Sequence, residues 1–119
     1  MKEGVLETAE WQQQLCPPWC SVVHTDHDHP EDRSHRDDGV PIPVVMRKRA
    51  IVDDEMVDHA VEAALLVGRW QSDGDREVWW HLGIDGDVEL EVSTESLSRV
   101  VQTLQGLLAE AQEALQRAE

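Results

Sequence analysis

The sequence predicts an α+β fold: an antiparallel meander of three or four strands packed on one C-terminal helix, preceded by a loop region rich in metal-ligand residues. Three observations carry this expectation. Late in the chain "REVWWHLGI" and "VELEV" alternate apolar and polar residues on either side of "DGD", residues 85–87. A period of two is the mark of half-buried strands, and Asp-Gly suits the tight turn between them. From Leu97 to Leu115 apolar residues recur at steps of three and four, which is the stripe of an amphipathic helix. Finally, both cysteines and four of the six histidines fall between Cys16 and His35.

Residues 1–15 are polar, with Leu6, Trp11 and Leu15 as their apolar anchors, and form an N-terminal arm. Residues 16–39 are rich in His, Asp and Pro with little aliphatic content, so they cannot order themselves around a core of their own. An ion is the alternative organiser. Residues 40–119 hold the meander and helix, and make one compact domain with 16–39. Within them "VPIPVVMRK" carries Pro41 and Pro43 at the same parity, which fits an edge strand and not a central one. "IVDDEMVDHA" reads as an irregular connection. "VEAALLVGRWQ", 61–71, reads as a strand because "QSDGD" supplies a turn and a clear strand follows it. In that next strand Val78, Trp80, Leu82 and Ile84 share one face. Val88, Leu90 and Val92 then point inward from the last strand, with Glu89 and Glu91 outward. Ser93 or Thr94 caps the helix, Glu95 suits its positive end, and Leu97, Val100, Val101, Leu104, Leu108, Ala111 and Leu115 form its buried side.

At 119 residues without Phe or Tyr, the chain has room for one small domain with a modest core. A net charge of −15 opposes direct binding of nucleic acid and of anionic membranes. It suits a basic protein partner, or a mimic of DNA's own charge. No apolar run reaches the roughly 20 residues of a membrane span, and the first residues lack the apolar core of a secretory signal; the expected location is cytoplasmic. In a reducing compartment two close cysteines serve more readily as metal ligands than as a disulfide.

Cys16, Cys20, His24 and His35 offer two thiolates and two imidazoles, a donor set that suits tetrahedral zinc. On one straight helix Cys16 and His24 would lie about 12 Å apart, too far to share an ion comfortably, so the chain must bend. Pro17 and Pro18 fit either a turn or the first turn of a short helix, and Trp19 either shields the metal or docks the clip onto the domain. His27 and His29 in "HTDHDH" are alternates for the imidazole positions. Four protein donors close the zinc sphere, whereas a catalytic zinc keeps one position open. No nucleophile motif or phosphate-cradling glycine loop accompanies the cluster. No enzyme is expected, and His59 and His81 read as ordinary surface or hydrogen-bonded histidines.

Together "CPPWCSVVH", "HPEDRSH", "GVPIPVV", "REVWWHLG" and "VELEVSTESLSRVVQTL" resemble a family of small actinobacterial and phage proteins known only as a domain of unknown function, over about residues 16–108. The resemblance implies a Cys-Pro-x-Trp-Cys opening, a His four residues on and a second His further along, which makes Cys16, Trp19, Cys20, His24 and His35 signature positions. It implies a layout and no reaction, substrate or partner. His27 and His29 depart from the simplest form of that pattern and leave the fourth ligand open. The expectation is a small acidic, non-enzymatic interaction or regulatory module with a structural zinc. The alternatives are a carrier of zinc or another first-row metal and an acidic DNA mimic.

Overall fold

A computed structural model describes residues 8–84 and 88–118. Leu6 of the expected arm and the Asp-Gly turn at 85–87 lie outside the described residues. Five antiparallel strands and one helix follow in chain order: β1 (Ser34–Arg36), β2 (Val40–Val52), β3 (Glu55–Ser72), β4 (Trp79–Ile84), β5 (Val88–Ser93) and α1 (Thr94–Ala118). β3 is the spine of the sheet. It pairs with β2 along 55–67, with β1 along 70–72 and with β4 along 65–70, and β5 completes the other edge.

The α+β class and the antiparallel meander stand, with one more β segment, β1, than the four the sequence suggested. "IVDDEMVDHA" is no irregular connection but the tip of a long hairpin. Asp53 and Asp54 both adopt positive φ, 52° and 66°, so two residues reverse the chain directly from β2 into β3. That is the geometry of the primed hairpin turns usually built from Asn-Gly or Asp-Gly; aspartate tolerates the left-handed region, but without a glycine the turn does not announce itself. β1, too short to show a period, emerged from a segment read as loop. β2 does lie at an edge, pairing with β3 alone among the described strands, and the prolines at 41 and 43 fit there because neither can donate to a ladder.

Cross-strand register gives the sheet two unlike faces. Ile42 opposes Leu65, which opposes Ile84; Val44 opposes Ala63 and Met46 opposes Val61. Partners across an antiparallel pair share a face, so apolar residues run along one side of the sheet and out onto the hairpin. The opposite face is mixed: Asp58 lies between Arg47 and Arg49, and His81 between Glu89 and Glu91, beside exposed Val45, Ile51 and Met56.

The helix departs from expectation. It touches β4 and β5 at its start, and every described residue beyond Leu97 is exposed. The expected lid over the sheet is therefore corrected: α1 runs outward. The radius of gyration is 20.3 Å and the longest extent 59 Å, against roughly 13–14 Å for the radius of a compact chain of this length. The cause is local. β5 passes into α1 with no residue between them, whereas a strand-to-helix reversal takes about 2–6 residues. Ser93 Oγ accepts the Ser96 N–H at 3.1 Å as the helix cap. The Trp80 indole donates to Thr94 Oγ1 at 2.9 Å, and that hydroxyl donates to the Val78 carbonyl at 3.0 Å, fixing the direction of departure. Among the described residues no helix is long and apolar enough to cross a membrane.

Burial concentrates at the other end of the sheet. The described residues under nine per cent exposed outside glycine are Ala9, Ser34, His35 and Gln71, with His35 at 0%. Nearby, Asp37 binds Arg69 through its backbone N–H at 2.9 Å and its Nε at 2.7 Å, while the guanidinium lies over the rings of Trp19 and Trp80 at 5.3 and 5.7 Å. Trp19 thus docks the cysteine loop onto the sheet. Asp37→Ala should cost on the order of 2–3 kcal/mol in urea denaturation, because it leaves a largely buried arginine without its carboxylate. Wild-type stability in that variant would show the pair to be dispensable.

Candidate metal centre

The cysteine loop bends at a turn. The Cys20 N–H donates to the Pro17 carbonyl at 2.9 Å, closing Pro17–Cys20 and choosing the turn over a short helix. From Ser21 the backbone runs beside β1, with the Ser21 N–H donating to the Arg36 carbonyl at 2.8 Å. This carries His24 back toward His35, which stands in β1 opposite Gln71. Ligand atoms of Cys16, Cys20, His24 and His35 all lie within 4.8 Å of one another. These four side chains are close enough to hold one metal ion.

Two further features suit an ion. His24 Nε2 lies 3.7 Å from Cys20 Sγ, and the His24 and His35 rings meet edge-on with centroids 5.1 Å apart. Each imidazole keeps a buried Nδ1 with no hydrogen-bond partner, a costly arrangement unless something else binds there. At His35 the reason is visible: Nε2 lies 3.0 Å from Asp73 Oδ1, leaving Nδ1 for a metal. A carboxylate on the far nitrogen is the usual support of a metal-binding histidine, fixing both tautomer and ring orientation.

Asp73 also joins the arm to the site. Its other oxygen accepts the Gln13 N–H at 2.7 Å, and Gln14 bonds the Gly74 N–H and the Gln71 side chain. Gly74 has φ +83° and an added Cβ would lie 2.6 Å from Gln13 Oε1, so glycine suits the position on both counts. Trp11 packs edge-on against His24, its indole donates to the Thr25 carbonyl at 2.7 Å, and Gln12 reaches Cys16 Sγ at 3.7 Å. The described part of the arm therefore wraps the cluster.

Electrostatics keep Cys16 and His24 in their neutral forms. Burial, and then the neighbouring Cys20, raise the pKa of Cys16 above the usual thiol value. Burial, and then His35, lower that of His24 below the usual imidazole value. Both groups are held neutral, and a cation would reverse the preference at sulfur.

His27 and His29 stand outside the cluster. His27 is exposed, and His29 Nδ1 accepts the Glu31 N–H at 3.3 Å, capping a 3₁₀ turn at Pro30–Asp32. Asp26 and Asp28 serve the loop instead: Asp26 accepts the Glu10 N–H, and Asp28 accepts from the Thr25 backbone and hydroxyl. Those Thr25 bonds pull the Asp28 pKa down. Sequence reading missed Asp73 and Trp11. "QSDGD" was legible as a turn, but no spacing rule links residue 73 to His35.

No curated protein and no solved structure matches the chain. A family model described as "Domain of unknown function (DUF6907)" matches residues 5–119, a longer span than the motif resemblance covered. The chain belongs to the DUF6907 family.

Proposed function

We propose that this protein is a small, acidic, non-enzymatic interaction module in which Cys16, Cys20, His24 and His35 hold a structural zinc. The observation that carries the reading is the convergence of four donors at the most buried point of the described chain, with Asp73 behind His35. Two thiolates and two imidazoles match zinc better than calcium or magnesium, which take oxygen ligands. Four protein donors leave no position for a reacting water, which supports a structural role over a catalytic one. A charge of −15 favours a basic protein partner over nucleic acid or an anionic membrane, and free thiols suit the reducing cytoplasm.

One observation favours a second reading, a reversible metal carrier: Cys16, Cys20 and His24 are only half-buried, and exposed His27 lies close along the chain. The two readings part on exchange. Protein purified without a histidine tag should contain about one zinc per chain. In a chelator titration followed by circular dichroism, zinc loss and loss of structure should coincide for the structural site. Easy removal with unchanged secondary structure would establish the carrier instead. A pull-down with the zinc-loaded chain then reads the partner class: a basic protein supports the module, and capture of DNA-binding proteins displaced by duplex DNA identifies the DNA-mimic form.

A further inference from the structure

The open face of the sheet and the open stripe of α1 match each other, though they do not meet within one chain. Beyond Leu65 toward the hairpin tip β3 is flanked by β2 alone, leaving a two-stranded ribbon whose ten β3 residues, 55–64, extend about 33 Å. A free two-stranded ribbon is marginal in water; this one exposes Val52 and Val57 on the face it shares with Ile42, Val44 and Met46, while the other face, which exposes Val45, Ile51 and Met56, is broken by Arg47, Arg49, Asp58 and Glu62. α1 has 25 residues, about 37 Å of helix, and Leu104, Leu107, Leu108 and Leu115 on its stripe are 56–68% exposed. A two-stranded ribbon is about one helix wide. Length and width agree.

We infer that a second copy of this chain covers both surfaces: two chains related by a twofold axis, with α1 of each laid along the apolar face of the other's β2–β3 ribbon. Three observations select this occupant. The capped junction at Ser93–Thr94 directs α1 away from its own sheet, so the cover must come from another chain. One symmetric exchange covers both surfaces at once, as a self-complementary twofold interface does. The area also suffices: the half-exposed Leu and Val side chains offer on the order of 600 Å² of apolar surface per chain. A standard interface buries about 800 Å² per partner, about 65% of it apolar in homodimers. The inference is independent of the zinc reading.

The test is light scattering on the full chain as purified, with zinc content and circular dichroism measured in parallel. The wild type should have the mass of two chains. Leu104→Asp and Val57→Asp should each weaken the dimer about a thousandfold, since each charge would be buried twice, and should retain wild-type zinc content. Ser98→Asp, exposed and off the stripe, should remain dimeric. Mixing the Leu104→Asp and Val57→Asp chains should restore a heterodimer, because the intact helix of one then meets the intact ribbon of the other. A monomeric wild type overturns the proposal. So does a Val57→Asp chain that stays dimeric, which would mean that the helices pair with each other, and so does a mixture that restores nothing while both variants remain folded.

Discussion

Cys20→Ser is expected to abolish stoichiometric zinc and to unfold residues 8–38, while His29→Ala leaves both metal and fold unchanged. Structural zinc sites bind with apparent energies of about 10–16 kcal/mol at neutral pH, comparable to or larger than the whole stability of a small domain, about 5–15 kcal/mol. Here the segment has no aliphatic core, and its remaining supports are the Trp19 dock and hydrogen bonds to β1 and to residues 69–74. The buried positions around it are His35, Ser34, Gln71 and Ala9, and His35 keeps an unpaired ring nitrogen when no ion is bound. Elemental analysis reads the metal, and hydrogen exchange over 8–38 reads the fold. Full zinc retention in Cys20→Ser would remove the thiolate from the ligand set, and zinc loss in His29→Ala would replace His35 by His29.

Zinc affinity should fall steeply on acidification, by up to about a hundredfold per pH unit when both thiols must release a proton to bind. The sign follows from the direction of the shifts. Burial and Cys20 raise the pKa of Cys16, so at neutral pH its proton is present and the metal must displace it; lower pH strengthens that competition. Burial and His35 lower the pKa of His24, so it stays neutral down to a pH below its usual midpoint and adds its own competition only there. A competition titration between pH 8 and pH 6 should therefore show thiol-proton behaviour, with the histidine contribution entering later. A flat profile across that window would mean that neither thiol is a ligand.

The ligands were legible because donor chemistry is written in residue type: Cys16, Cys20, His24 and His35 stand out by identity, and the span from Cys16 to His24 on a straight helix required a bend, which Pro17 and Pro18 fitted equally as a turn or as a helix start. Their scaffold was not legible. Gln71 reaches the site from β3 and Asp73 from the turn just after it, and contacts with His35 across 36 and 38 positions leave no local period. β4, β5 and α1 followed from alternation and stripe, since both record which side of an element is apolar. What covers an apolar side is a different matter. The stripe from Leu97 to Leu115 implied a buried partner, and the natural guess was the chain's own sheet; the missing connection between Ser93 and Thr94 redirects it. The Asp53–Asp54 tip was hidden for a simpler reason: aspartate can take left-handed backbone without signalling it as glycine does.

The separation between His35 and Asp73 also has a consequence during biosynthesis. All four metal-ligand candidates are complete once residue 35 is made, whereas the carboxylate that orients His35 and the strand opposite it arrive 38 residues later. At about 5–20 residues per second, that interval is roughly 2–8 s. The donors exist before the frame that holds them. The register that sets His35 opposite Gln71, with Asp73 at its ring, is thus completed only after all four donors exist.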